Sequence, residues 1–595
     1  MLEQILPDGP DHPFAKTMLR HFEKLKTPLK SVFTYPSLET QRRRFSSLGW
    51  GYTDVVSLWQ IWSDNQWIPP EERRVLDRIE PFDEWEEFAL FASHYCVVTA
   101  KTHTNDTGSI GSDGVTSLDP IVSVIATPTR FDEYERSRGQ RRFGAAMTFR
   151  DDLGQKILAN TFGLGTNSRL RSYDLYSQRV PLQNIEGYHP GPPGRMCHTI
   201  TDLGSHGTLL SGGRASPASS FQDCWLFNKG TRSWTKFGDL PVPLYRHAVT
   251  RLGHSNMALL IGGKTGSSSI FGGCLLFCPG SGWVECQILS SDYRPVFGAS
   301  AVSFSEVYLE STDGSQKANA RFRGILAGGL LDDGIVSKQL LHWELLLPAN
   351  DGLPIITFKR LRCQETNCPR VGASKATDAD LLVNRFGSST FLYGDNRIVI
   401  IGGVIYGGIL SKECEILVIE ASEFEFKILA THCPAIPSES PTIQRLLLIG
   451  ASISLAKDGS LVIMGGGATC FSMGTCWNNG CYSMSLADLD KDDAPPYIPS
   501  GQWKFVQLLE VTEPPPSILS SGIQSNNKPI TKVDIPRVHV DSKSTFLEVM
   551  KRGKPVIIEG KGPGTCVQTW TAECLAHKVG HERKVSNSPL SCQSL

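Results

Sequence analysis

Glycine doublets at the ends of short apolar strands constrain this chain more than any other feature. They occur as Gly212-Gly213, Gly262-Gly263, Gly328-Gly329, Gly402-Gly403 and Gly465-Gly466, with Leu164-Gly165 taking that place in a first, imperfect copy. An arginine precedes each: Arg142, Arg195, Arg246, Arg294, Arg385 and Arg445. An aromatic arrives further on, as at Trp234, Trp283, Trp343 and Trp503. Glycine pairs permit backbone angles and close approaches that side chains forbid. The unit reads as a strand opened by arginine, an apolar strand ending on glycine, and an aromatic strand closing the sheet. One four-stranded unit cannot bury both faces alone, so several must pack in a ring. Six copies between residues 120 and 510 predict a mostly β fold built on a six-bladed β-propeller.

The flanks have another texture. Residues 1–103 read as helical after a short strand-like start. Phe14, Met18, Leu19, Phe22 and Leu25 recur at three- and four-residue steps, as one buried helix face requires. Ser37 is placed to cap a second helix through Arg44, with Gly49 as its stop. Residues 55–62 carry another apolar helical face. Pro69-Pro70-Glu71-Glu72 puts proline and acids where the positive end of a helix dipole favours them. Residues 82–92 continue as a helix and 94–100 as a strand. Residues 104–119 and 511–530, rich in small and turn-forming residues, read as linkers. Residues 531–595 read as a helix over 544–552, a turn at Gly553, a strand over 555–559 and a helix around 570–579.

Composition narrows the function classes. With 595 residues the chain holds several domains, since single cores stop growing near roughly 250–300 residues. A net charge of −1 gives no overall attraction to nucleic acid, so any RNA contact is local. Of the 16 cysteines, only Cys363/Cys368 and Cys470/Cys476/Cys481 are close in sequence. Neither group has the spacing of a zinc tetrahedron, so free thiols and no metal site are expected. No signal-peptide pattern and no apolar run of about 18 residues occurs. A soluble, cytoplasmic protein without membrane contact is the expectation.

Three stretches, LEQILPDGPDHPFAKTMLRHF, YPSLETQRRRFSSLGW and RIEPFDEWEEFALFASHYCVVTAKT, resemble the C-terminal third of leucine carboxyl methyltransferases, a class I (Rossmann-like) family. The glycine-doublet repeat resembles kelch repeats. The tail, KPVIIEG…GTCVQTWTAECLAHKVGHERKV, is similar to the start of a JmjC/cupin-like domain. That domain order resembles the wybutosine-synthesising branch of the family. The resemblance implies S-adenosyl-L-methionine as cofactor and phenylalanine tRNA as partner. The implied reactions are methyl esterification of the modified base's side-chain carboxylate and methoxycarbonylation of its amine. Such a methyl transfer needs little acid–base help, because the nucleophile is already anionic and the sulfonium already a good leaving group; positioning and shielding from water dominate. The family's glycine-rich cofactor loop lies upstream of LEQ, so the chain reads as truncated at both ends and as an incomplete form. Of the family's cofactor contacts Glu3 alone is implied here, and no catalytic residue is assigned. A non-catalytic kelch-type interaction module and a protein leucine carboxyl methyltransferase are the other two readings. The kelch fusion speaks against the latter, because the protein-directed relatives are short single domains. A propeller face with uneven loops also suits a protein partner.

Several further residues invite a functional reading. His539-Val540-Asp541 has the local spelling of an Fe(II) site, yet it precedes the first strand expected for its domain; His577 and His581 lack a carboxylate partner. All are read as surface residues. Arg42-Arg43-Arg44 reads as a solvated helix face, and Arg136, Arg138, Arg141 and Arg142 as a basic patch open to RNA. Trp50, Trp59, Trp62 and Trp67 read as core packing before base stacking. With their parallel sheet mostly absent, the helices of 1–103 are expected to expose Phe14, Met18, Phe22, Leu58, Trp59 and Trp62.

Overall fold

The computed structural model describes the chain apart from residues 80–81, 103–116, 119–121, 135–138, 180–189, 217, 267–268, 291, 312–317, 349–351, 365–373, 436–444, 457, 487–501, 513–534, 552–555 and 561–595. Two compact units result, Met1–Ile518 and Leu519–Leu595.

The first unit opens with a three-stranded antiparallel sheet, in which β3 (Tyr95–Lys101) lies between β1 (Leu2–Gln4) and β2 (Tyr52–Ser57). The same segment carries the helices α1 (Pro13–Lys24), α2 (Leu38–Ser46), α3 (Leu58–Ser63), α4 (Pro70–Ile79) and α5 (Trp85–Ser93). Ser37 caps α2 as expected, its hydroxyl accepting from the Thr40 N–H at 3.2 Å. Residues 55–57, expected in a helix, are instead strand. Val55, Val56 and Ser57 pair with Val98, Val97 and Cys96, and Ser57 then caps α3. β-branched residues favour that outcome.

Sheets follow in series. Sheet I holds Ala145–Arg150, Lys156–Thr161 and Ser172–Ser177. Sheet II holds Thr199–Asp202, Thr208–Ser211, Asp223–Asn228 and Ser233–Asp239, and sheet III Ala248–Arg251, Ala258–Ile261, Cys274–Cys278 and Gly282–Glu285. Sheet IV holds Ser300–Ser311, Ala318–Ala327, Leu340–Leu347 and Ile355–Arg360. Sheet V holds Ser389–Tyr393, Arg397–Ile401, Ile416–Ala421 and Glu425–Ala435, and sheet VI Ser452–Leu455, Ser460–Met464 and Gly480–Ser485. The first and last strands of the propeller exchange to complete the two short sheets. Val124–Glu133 becomes the outer strand of sheet VI, and Lys504–Glu510 the outer strand of sheet I. Val124–Glu133 also pairs in parallel with Glu425–Ala435, which joins sheets V and VI edge to edge. The architecture is a β-propeller.

Its axis is marked by one backbone position per sheet in the left-handed region: Phe143, Cys197, Arg246, Gly298, Gly387 and Gly450. They are linked in series. The N–H of Phe143 donates to Gly450 O at 2.7 Å, Cys197 to Phe143 at 3.1 Å, Arg246 to Cys197 at 3.0 Å, Gly298 to Arg246 at 2.7 Å and Gly387 to Gly298 at 2.8 Å. The glycine doublets serve a second set of links between neighbouring sheets. The N–H of the second glycine reaches the next sheet's carbonyl: Gly213 to Leu244 at 2.8 Å, Gly263 to Val296 at 2.9 Å, Gly329 to Arg385 at 2.9 Å and Gly466 to Arg141 at 2.8 Å. At the first glycine a side chain would collide with that carbonyl; a Cβ on Gly212 would stand 2.2 Å from Leu244 O.

This register corrects three sequence expectations. In sheet I the doublet's place is held by Phe162-Gly163, with Gly163 N–H donating to Arg195 O at 2.7 Å, and not by Leu164-Gly165. The repeating arginine occupies equivalent positions only at Arg141, Arg195 and Arg385, each two residues before the left-handed position and fully buried. There it ties strands of its own sheet together: Arg195 binds Gly212 O at 2.9 Å and clamps Asp223 at 2.7 and 2.8 Å. Arg142, Arg246, Arg294 and Arg445 fall outside that register. Trp343 lies in the third strand of sheet IV rather than the closing one. In addition, Ser117-Leu118, expected in a linker, pair with Ile409-Leu410, and a helix, Ser374–Val383, precedes sheet V.

The helical segment buries its apolar faces against the propeller, contrary to expectation. Phe14, Met18 and Trp59 are at most 1% exposed, while Phe22, Leu58 and Trp62 are half-buried. Phe14 packs with Leu447, Cys470 and Cys476, and Trp59 and Trp85 with Phe297, Leu330 and Phe386. The sheets supply the surface that the sequence alone could not show.

In the second unit, Arg537–Val540 pairs in parallel with Ile557–Gly560, and the helix Lys543–Lys551 connects them. The helix expected around 570–579 lies outside the described residues.

Candidate functional site

Helix α5 meets the propeller at the mouth of its axis. The segment FDEWEEF places Asp83 just before the helix and Glu86 and Glu87 in its first turn, where the dipole favours carboxylates. All three are buried. Asp83 binds Arg214 at 2.7 Å and Arg246 at 2.6 Å; Glu86 takes both terminal amines of Arg246 at 2.7 and 2.9 Å; Glu87 takes Arg142 at 2.6 Å. Burial pushes Glu87 up to about 8 against the pull of Arg142, and burial also raises Glu86 against the pull of Arg246. Burial alone would lower Arg246, but Asp83, Cys197 and Glu86 outweigh it and hold the guanidinium charged. Cys197, facing Asp83 at 3.8 Å, has its thiol pushed up to about 12 by burial.

Beneath this joint lies an axial cavity of about 160 Å³, walled in part by Glu86, Cys197, His198, Arg246, His247 and Ser388. Burial holds His247 down at about 3, so its ring is neutral, sharing hydrogen bonds with Thr199 at 3.1 Å and Ser211 at 2.9 Å. Each of the three carboxylates is ion-paired with a guanidinium, while Glu87 Oε2 has no hydrogen-bond partner among the described residues. The arrangement fixes the helical segment on the axis and closes that mouth.

The other sequence candidates fall in scattered places. Glu3 lies in β1, its carboxylate accepting from Ser31 Oγ at 3.3 Å and facing Arg44 at 3.6 Å. These neighbours hold one carboxylate in place. Among the described residues of 1–102 no strand, glycine-rich turn and helix follow one another to cradle a nucleoside, so the residues present do not make a cofactor pocket around Glu3. Arg42 and Arg43 pair with Glu39, as a solvated helix face does. Arg141 and Arg142 are buried in ion pairs with Asp174 and Glu87, which removes both from any RNA-facing patch; Arg136 and Arg138 lie outside the described residues. Trp59 and Trp62 anchor the helices, donating to Ile405 O at 3.0 Å and Gly334 O at 3.2 Å, while Trp50 and Trp67 are a little over one-third exposed. Cys470, Cys476 and Cys481 are buried free thiols; Cys363 is half-buried, and Cys368 lies outside the described residues. His539 and Asp541 are exposed in and after a strand; His577 and His581 lie outside the described residues. Among the described residues no helix is long and apolar enough to cross a membrane.

Residues 192–480 match the family model described as the β-propeller of tRNA wybutosine-synthesizing protein 4. Over 98% of its length the chain is 39% identical to tRNA wybutosine-synthesizing protein 4 of Neurospora crassa, covering 51% of that protein. It is 36% identical to the protein of that name from Gibberella zeae, over 98% of this chain and 54% of the relative. The chain belongs to the tRNA wybutosine-synthesizing protein 4 family. Members diverge widely: with the Saccharomyces cerevisiae protein the identity is 27% over 82% of this chain. The chain spans about half the length of the curated relatives it matches. Sequence reasoning missed the acidic joint of Asp83, Glu86 and Glu87, although three acids inside an aromatic, helix-forming run were its signal.

Proposed function

We propose that this chain acts in wybutosine biosynthesis on phenylalanine tRNA, as the propeller-bearing part of an S-adenosyl-L-methionine-dependent carboxyl methyltransferase and methoxycarbonyltransferase. One observation carries the reading: the match to relatives of that name runs through helical segment, propeller and tail, over 98% of the chain. We read the ring as a six-bladed, kelch-type propeller, residues 1–103 as the C-terminal part of a class I methyltransferase, and the tail as the start of a JmjC-like domain. The axial positions Phe143, Cys197, Arg246, Gly298, Gly387 and Gly450 support the blade count. Buried free thiols suit the reducing cytoplasm.

In such a transferase the protein chiefly positions the reactants and excludes water. The joint of Asp83, Glu86 and Glu87 with Arg142, Arg214 and Arg246 supports the positioning role, because it locks the helical segment to a rigid ring. Glu3, held by Ser31 and Arg44, is the one residue of this chain assigned to the cofactor side.

Tritiated S-adenosyl-L-methionine and hypomodified phenylalanine tRNA test the reading. Methyl transfer to the tRNA, and none to a leucine-ended peptide, is the expected result for the chain supplied with its family's upstream half. Transfer to the peptide alone would replace it with protein methylation. Neither binding nor transfer would leave a non-catalytic interaction module.

A further inference from the structure

The C-terminal end of α1 and the loop behind it carry an unusual set of cations. Arg20, Lys24, Lys26 and Lys30 are exposed, and among the described residues none has a carboxylate within ion-pair distance. Between residues 12 and 38 the sole acid is Glu23. Nearby cations behave differently: Lys16 pairs with Asp11, Arg42 and Arg43 with Glu39, and Arg44 with Glu3. Complementing the negative end of the helix dipole accounts for Lys24 but not for Lys26 and Lys30, which lie beyond the helix.

Lys26 is placed against local preference. The helix ends in a Schellman motif, with Thr27 N–H donating to Phe22 O at 3.0 Å and Lys26 N–H to Glu23 O at 2.9 Å. Lys26 occupies its left-handed position, at φ 57°. Glycine is the residue that position favours, because it has no Cβ to collide. A lysine there supplies charge where the fold alone would select against it. Phe33, 62% exposed and three residues past Lys30, adds an aromatic face on which an unpaired base can stack.

We propose that Arg20, Lys24, Lys26 and Lys30 form a phosphate-binding surface for the RNA partner. This rests on the tRNA function proposed above. It gives a protein of net charge −1 the local contact that its overall charge does not supply.

The test measures binding of an unmodified phenylalanine tRNA transcript to the whole chain by fluorescence anisotropy, between about 50 and 200 mM salt. The combined variant Lys24→Glu, Lys26→Glu, Lys30→Glu should bind at least about tenfold more weakly, with a salt slope smaller by about 2–3. Lys229→Glu with Lys236→Glu, on sheet II, should leave both unchanged. Lys26→Gly should raise the melting temperature while still weakening binding, which a purely structural lysine would not do. Unchanged affinity in the triple variant, with the wild-type chain binding tRNA, overturns the surface and leaves the proposed function standing. So does equal loss in the sheet II control. Absence of tRNA binding by the wild-type chain, or binding to phosphatidylserine vesicles in its place, overturns both. Tight tRNA binding without methyl transfer by the completed enzyme overturns the function alone.

Discussion

Glu87 of α5 and Arg142 of the propeller meet at 2.6 Å across 55 residues of sequence, both buried. The guanidinium also packs 5.4 Å from the Trp477 ring centre, so the contact couples helix α5 to the segment entering sheet I and to the ribbon formed by Gly467–Thr469 and Thr475–Trp477. Removing one partner of a buried ion pair typically costs roughly 3–5 kcal/mol, since the other charge is stranded. Arg142→Ala should lower stability by less than that in urea denaturation at neutral pH, because Glu87, pushed up to about 8 by burial, takes a proton rather than standing as a stranded charge. Glu87→Gln should cost less, because an amide still accepts from Arg142. Burial raises the folded Glu87 above the ordinary 4.5, to about 8, so its contribution is complete below pH 4.5 and is lost as pH rises through about 8. Wild-type stability should therefore decline across that window, and Glu87→Gln should flatten the decline.

His432 titrates in the opposite sense. It belongs to the outer strand of sheet V, and its Nδ1 stands 2.8 Å from Thr127 Oγ1 in the outer strand of sheet VI, at the edge-to-edge junction. Burial lowers it from 6.5 to about 4. A base depressed in the folded state contributes stability above pH 6.5 that is lost as pH falls through about 4. This contribution opposes that of Glu87 between pH 4.5 and 6.5, so it is read from the difference in urea midpoint between the wild-type chain and His432→Gln. His432→Gln should reduce the slope by about one proton. An unaltered slope would show that the ring is solvated.

Some of this was legible in advance. The doublets at Gly212, Gly262, Gly328, Gly402 and Gly465 announced the ring because their constraint is steric and local. The arginine register was not legible: Arg141 and Arg142 are adjacent, and only the left-handed φ of Phe143 tells which one ties the sheet. Residues 55–57 were misread because a short apolar run suits a strand or a helix equally well until its neighbours are known. The docking of the helical segment was hidden for another reason. Trp59 finds Ile405 346 residues away, and Arg246 finds Asp83 163 residues away; no local pattern encodes partners at that distance. Glu3 was legible only through family resemblance, and its restraint by Ser31 and Arg44 required the fold.

Closure of the ring by its first and last strands predicts a cooperativity that depends on both. Lys504–Glu510 covers Ser172–Ser177, a strand whose six residues are all buried. Ending the chain before Trp503 would leave that strand as a bare apolar edge, which pairs readily with other chains. Such a variant should elute as oligomers in size-exclusion chromatography, and amides of Lys156–Thr161 should lose hydrogen-exchange protection relative to the whole chain. A monomeric variant with protection intact would mean that sheet I is complete with three strands.

The doublets themselves make the sharpest prediction. At Gly328 φ is +65°, and an added Cβ would stand 2.0 Å from the carbonyl oxygen of Arg385. That oxygen is also the acceptor for Gly329 N–H at 2.9 Å, so it cannot withdraw without breaking the link between sheets IV and V. Gly328→Ala thus combines a left-handed non-glycine residue, at about 1–2 kcal/mol, with backbone overpacking of about 1–3 kcal/mol. A loss of roughly 2–5 kcal/mol is expected in urea denaturation. Gly266→Ala is the comparison: nothing lies within 4 Å of its added Cβ and its φ is ordinary, so it should be neutral or slightly stabilising. Equal effects at the two positions would show that the doublet is a flexible turn rather than a steric requirement of the ring.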